Sequence, residues 1–226
     1  MQRICEPELM DDSAQATAYA NADFSAGDQA LLERFVDLFG ADQLGDLVDL
    51  GCGPGNITFL LAERFGTARV LGVDGSEAML QIASRRLAAE PGRWPGLRFA
   101  QELLSPTGLL PSRGGRFSAV ISNSLLHHLH DPQGLWTAVR WLGAPCAAVY
   151  IKDLRRPASP EAVLALRDRY LPEAPPVLQH DYVASLHAAF TAAEVRHQLA
   201  DAGLAEHLQV AELEDRYLEV WGRLAG

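Results

Sequence analysis

The run Val48-Asp49-Leu50-Gly51-Cys52-Gly53-Pro54-Gly55-Asn56 places glycine at every second position of a short loop, with an acid just before it. Glycine has no Cβ, so such a loop can turn left-handed or bring its amides against a ligand. A second acid, Asp74, closes an apolar run 19 residues beyond Gly55. One carboxylate can accept two hydroxyls in charge-assisted hydrogen bonds. Loops that cradle a dinucleotide use G-x-G-x-x-G, the third glycine lying beneath a pyrophosphate. Here Asn56 stands at that third position, and Pro54 removes an amide. The expected ligand therefore has no pyrophosphate.

Other side chains could act on a second molecule. His128, in Leu125-Leu126-His127-His128-Leu129-His130, is the histidine placed to reach the site. It is a candidate general base, or equally a hydrogen-bonding partner; His127 and His130 read as surface or packing residues. Lys152, Arg155 and Arg156 form the densest positive charge of the chain. Arginine's planar fork suits a carboxylate or phosphate, so the three are candidate contacts to a small anion; a solvated turn is the other reading. His180, Asp181 and His187 do not share one helix face, so no metal set is expected.

These residues need elements to hold them. Leu31, Leu32, Phe35, Val36 and Phe39 give 11–39 a 3.6-residue rhythm and predict a helix. Short apolar runs then alternate with helical stretches. Strands are expected at 47–50, 70–73, 97–100, 117–122 and 147–151, and helices at 57–65, 76–90 and 134–142. That alternation predicts βαβ units around a mainly parallel sheet. Residues 153–190 break the pattern with Pro157, Pro160, Pro172, Pro175 and Pro176 and read as a cap with two short helices. Thr191 and Glu194 match a capping box that opens a helix running to about Ala202. Two closing runs, 208–210 and 217–221, suggest an antiparallel edge.

Composition removes whole classes of function. The chain has 226 residues, 48% hydrophobic and 21% charged, as an ordered globular domain does. Its formal net charge is −10, and Lys152 is the one lysine among 19 basic residues. Binding a polyanion relies on neutralising phosphates, so neither nucleic acid nor an anionic membrane is an expected partner. The longest apolar stretch falls far short of the roughly 20 residues that span a bilayer, and no signal peptide is read at residues 1–8. Three cysteines, Cys5, Cys52 and Cys146, show no disulfide or zinc spacing. A reducing cytoplasm is the expected compartment.

From Tyr19 to Ile151 these stretches resemble the class I S-adenosylmethionine-dependent methyltransferases of small molecules. Gly51-Cys52-Gly53-Pro54-Gly55 is similar to the family's first motif, which wraps the methionine portion; the resemblance implies contacts from Asp49, Gly51, Cys52 and Gly53. Gly72-Val73-Asp74-Gly75-Ser76-Glu77-Ala78-Met79-Leu80 is similar to the second. It implies that Asp74, beside Gly75, holds both ribose hydroxyls and that Met79 packs on the adenine. Glu102, followed by Leu103, stands where the family has an aspartate meeting the adenine amino group. Residues 117–129 look like the fourth strand and its turn, with Asn123 at the strand end and Ser118 in place of a usual acid. Family members acting on nucleobase amines carry Asn/Asp-Pro-Pro-aromatic here, which Asn123-Ser124-Leu125-Leu126 lacks. Tyr19 resembles a lid tyrosine over the sulfonium.

The resemblance implies an α/β, doubly wound, mainly parallel seven-stranded sheet in one domain, 1–226. Residues 1–45 would form an N-terminal helical lid, and 153–190 a cap between strand 5 and the last helix. The implied function is methyl transfer from S-adenosylmethionine to a small-molecule acceptor. The alternative is a catalytically silent domain of the same fold that binds S-adenosylmethionine or a partner protein. An NAD-linked oxidoreductase is set aside on the glycine spacing.

Overall fold

A computed structural model describes residues 1–42, 45–106 and 117–226. The stretches 43–44 and 107–116, inside the expected lid and domain, lie outside the described residues. The chain order is α1 (Ser13–Asn21), α2 (Ser25–Phe39), β1 (Leu47–Leu50), α3 (Asn56–Arg64), β2 (Val70–Asp74), α4 (Glu77–Ala89) and β3 (Leu97–Gln101). Then come β4 (Phe117–Asn123), α5 (Gln133–Leu142), β5 (Gly143–Leu154), α6 (Pro160–Tyr170), α7 (Pro176–Ala188), α8 (Ala192–Asp201), β6 (Leu208–Leu213) and β7 (Tyr217–Arg223). One sheet has the order β3-β2-β1-β4-β5-β7-β6. β7 runs antiparallel to both neighbours, and the other pairings are parallel. From β1 the chain goes one way to β2 and β3, then returns to place β4 on the other side. Ligands of open α/β sheets bind at such a reversal, outside the carboxyl ends of the strands.

Both faces of the sheet are covered, as a parallel sheet requires. Successive strand residues point to opposite faces. Val48, Leu50 and Val120 face a core built with Leu135, Trp136 and Val195. Leu47, Ala119 and Ile121 face another, with Leu31, Phe35 and Leu61. Trp136 is fully buried, and its indole N–H donates to Gln198 Oε1 at 3.1 Å. Among the described residues no helix is long and apolar enough to cross a membrane.

Three boundaries differ from the sequence reading. The expected helix over 11–39 is two helices, because Asp23 Oδ1 takes the backbone N–H of Ser25 at 3.0 Å and its hydroxyl at 2.5 Å. Such local side-chain bonds compete with the helical ladder. Residues 1–12 are not helical; they form an extended strap. Ile4 N–H bonds the His187 carbonyl at 3.0 Å, and Arg3 reaches the carbonyls of Ala188, His127 and Leu129 while lying 3.9 Å above the Phe190 ring. Finally, β5 starts at Gly143 and runs on to Leu154, pairing Asp153 with Leu218 and Leu154 with Tyr217. The segment beyond it holds α6, opened by Ser159 and Pro160, and α7. The capping box forms as expected: Thr191 Oγ1 accepts Glu194 N–H, and Glu194 accepts the Thr191 amide.

Candidate functional site

A cavity of about 630 Å³ opens at the carboxyl ends of β1, β2, β4 and β5, under α7 and the strap. Its first half is built by the glycine loop. Gly53 has φ +52°, a left-handed backbone, and a Cβ built there meets nothing within 4 Å. The loop turns a bare backbone toward open space. Gly51, at φ +70°, has no such room, since a Cβ would sit 2.7 Å from Leu125. Asp74 ties the loop down: Oδ2 takes Gly53 N–H at 2.7 Å and Oδ1 takes Ser76 N–H at 2.8 Å. Each oxygen keeps a lone pair for a ligand. Burial holds the Asp74 carboxyl above its ordinary pKa.

Asp49 sits behind the loop, 1% exposed, accepting the Thr58 hydroxyl at 2.6 Å. Burial pushes its carboxyl up to about 7, and that of Asp28 on α2 up to about 6. Tyr19, Cys52, Gly75, Met79, Glu102, Leu103 and Asn123 all line the same cavity. Met79 is 4% exposed and Leu103 63%, so one wall is rigid and the other is open to solvent. Burial raises the Cys52 thiol pKa, which makes it a poor nucleophile. Ser124, next to Asn123, has φ +57°, a strained backbone of the kind that clusters at functional sites.

The second half lies under the cap. Lys152 lines it, with Nζ 4.2 Å from the Tyr217 ring centre. Burial lowers its pKa. Arg155 and Arg156 do not reach the cavity, contrary to the sequence expectation. Once β5 runs on to Leu154, both pass beyond its mouth. Arg155 pairs with Glu212 at 3.3 Å and turns toward the carbonyls of the β6–β7 turn. Arg156 is 7% exposed and bonds the Ala189 carbonyl and Glu194. Arg156→Ala is expected to cost about 1–3 kcal/mol of unfolding free energy, chiefly by leaving the buried Ala189 carbonyl unpaired. Denaturant titration reads that loss, while ligand affinity by calorimetry stays unchanged; weakened binding with unchanged stability would return Arg156 to the site.

The cation that sequence reading missed is Arg216. It lines the cavity 3.4 Å from the Tyr170 ring centre and 4.7 Å from that of Tyr217, and its Nε is buried without a hydrogen-bond partner. Tyr182 lines the same region. No local signal marks Arg216, one arginine in an acidic turn; only the β5–β7 pairing brings it beside Lys152.

His127 and His128 both line the cavity. His127, read as a surface or packing residue, is buried, and it also lines the cavity. Its Nδ1 lies 2.5 Å from Asp153 Oδ1; burial pulls its pKa down, but Asp153 outweighs this and the net direction is upward. Burial pushes the His128 ring down to about 3. A base that weak takes a proton poorly at neutral pH, which argues against His128 as the catalytic base. His130 is exposed, as expected.

A glycine loop and an acid at the ends of β1 and β2, in a seven-stranded sheet of this order, define a Rossmann-like methyltransferase fold. Residues 47–143 match the family model described as a methyltransferase domain. A trans-aconitate 2-methyltransferase of Methylobacterium radiotolerans is 32% identical over 145 residues, covering 52% of this chain and 55% of the relative. Another, from Paracidovorax citrulli, is 48% identical over 75 residues, covering 27% and 29%. The chain thus spans about half the length, or less, of these curated relatives. Among solved structures, a methyltransferase from Aquifex aeolicus superposes with a TM-score of 0.65 at 16% identity, covering 93% of this chain and 98% of that one. The phosphoethanolamine N-methyltransferase 2 of Haemonchus contortus, bound to S-adenosylhomocysteine, gives 0.70 at 14% identity, covering 95% and 58%. Residues 47–143 are thus similar to a methyltransferase domain, and the fold of the chain is similar to that of S-adenosylmethionine-dependent methyltransferases.

Proposed function

We propose that the chain, as a single domain over 1–226, methylates a small anionic molecule in the cytoplasm, with S-adenosylmethionine as donor. The observation that carries this is the Asp74 carboxylate drawn onto the Gly53 amide at the edge of an open cavity. The residues fit the donor: a Cβ at Gly53 would enter free space rather than protein. In this reading Asp74 takes the ribose hydroxyls, Met79 and Leu103 flank the adenine, and Glu102 faces its amino group. The Gly51–Gly53 backbone follows the methionine chain, with Asp49 beneath the loop and Asn123 at the β4 end. When bound, S-adenosylmethionine supplies an electrophilic methyl group on a sulfonium. Asp28 and Asp49 place negative charge near that cation, and Tyr19 covers it from α1. The protein's part is orientation and exclusion of water, which suffices for an already activated donor. Lys152 and Arg216 hold the acceptor anion, in accord with the aconitate in the relatives' name.

Calorimetry with S-adenosylhomocysteine, S-adenosylmethionine and NAD tests this. Saturable one-site binding of the first two and none of NAD is expected. Binding of NAD alone would overturn the reading.

A further inference from the structure

Glu6, His127 and His128 meet where the strap crosses the turn after β4. One donor atom from each lies within 4.8 Å of the other two. Glu6 Oε1 is 3.6 Å from His127 Nε2 and 3.2 Å from His128 Nδ1. Ligands bound tetrahedrally to zinc at about 2.0–2.1 Å stand roughly 3.3–3.4 Å apart. Both separations are close to that spacing.

The outer side of His127 is held as well. Asp153 Oδ1 occupies Nδ1 of His127 at 2.5 Å, which leaves Nε2 for the cluster. His128 Nδ1 is buried with no hydrogen-bond partner, and a neutral ring protonated on Nε2 presents a bare lone pair there. The Ser185 hydroxyl lies 3.1 Å from Glu6 Oε1 and 3.3 Å from Oε2. Histidines that ligate metals usually give their other N–H to a carboxylate or a backbone carbonyl, and His127 does so with Asp153. The Arg3 guanidinium is engaged by backbone carbonyls. Two imidazole nitrogens and a carboxylate oxygen therefore lie within 4.8 Å of one another.

We propose that Glu6 Oε1, His127 Nε2 and His128 Nδ1 bind one divalent transition-metal ion, zinc being the probe of choice, at the wall of the cavity. Two imidazoles and a carboxylate are a zinc ligand set that leaves a position open. An oxygen bound there loses its proton more readily, as zinc-bound water does with a pKa of about 7. A hydroxyl or carboxylic acid acceptor would thus be delivered as the anion, its proton passing to solvent.

Metal uptake can be read without any methyl transfer, so this inference and the proposed function fail separately. The full chain, stripped with chelator and dialysed, is titrated with ZnCl2 and assayed for bound zinc by mass spectrometry and for thermal stability. One equivalent and a raised Tm are expected, with MgCl2 giving neither. Glu6→Gln and His128→Ala each lose the equivalent. Co2+ in the unmutated chain adds a check independent of variant folding, through intense visible d–d bands of a low-symmetry site. Zinc retained by both folded variants, or no binding and no cobalt bands in the unmutated chain, overturns the site and leaves Glu6 and His128 sharing a proton.

Discussion

Asp74→Ala lowers the affinity for S-adenosylhomocysteine by about 1.5–3 kcal/mol, roughly 10- to 150-fold, the range for losing hydrogen bonds to a charged group. The carboxylate has two duties that the substitution removes together. It organises the loop through the Gly53 and Ser76 amides, and in the proposed reading its remaining lone pairs accept the ribose hydroxyls. Asp74→Asn separates the duties, since the amide keeps the size and one acceptor oxygen while losing the charge. Its affinity is expected between those of the alanine variant and the unmutated chain. Calorimetry at fixed pH and salt measures all three. Equal affinities in a folded alanine variant would remove Asp74 from the site.

Asp49→Asn stabilises the protein at neutral pH and above, the gain building up between about pH 4 and pH 7 and levelling off beyond it. With a folded-state pKa near 7 against an ordinary 3.8, native Asp49 keeps a proton that the unfolded chain has released across that window. A group raised in the folded state contributes fully below the unfolded value, and its contribution is lost as pH rises through the folded one. Above pH 7 the native state holds a buried charge beside the Thr58 hydroxyl. Asparagine offers Thr58 the same kind of acceptor and never ionises. At about 1.4 kcal/mol per pKa unit, the difference in stability between the two chains should change by about 2–4 kcal/mol from pH 4 to pH 8.5. Urea midpoints across that range test it, and parallel pH profiles would show that Asp49 does not titrate with folding. Asp28, raised to about 6, is intact in both chains and largely cancels.

What could be read from the sequence was what is encoded locally. β1, the glycine loop, Asp74 and the Thr191–Glu194 capping box each depend on neighbours a few residues away, and each appears where expected. The break at Asp23 was hidden because the 3.6-residue rhythm lies at 31–39, while α1 before the break carries no apolar stripe to mark its own bounds. The start of β5 was hidden by Pro145 and by a helix running straight into the strand. Arg155 and Arg156 were misplaced for a related reason: three more residues of β5, 152–154, carry them past the cavity. Glu6 and Arg216 had no local signal at all. Their roles arise from contacts with distant parts of the chain, Glu6 with Ser185 across 179 residues.

The strap over residues 1–12 makes completion of the cavity a matter of chain entropy. Closing a loop of 179 residues, from Glu6 to Ser185, costs freedom that grows only with the logarithm of loop length, yet contacts of such separation slow folding. The β1–β4 sheet can close on shorter loops, so the donor half of the site can exist before the acceptor half has a wall. A ligand that contacts both the glycine loop and the strap then draws the population toward fully closed chains by mass action. Occupancy becomes a report on how much of the chain has folded, as well as on how well the pocket fits.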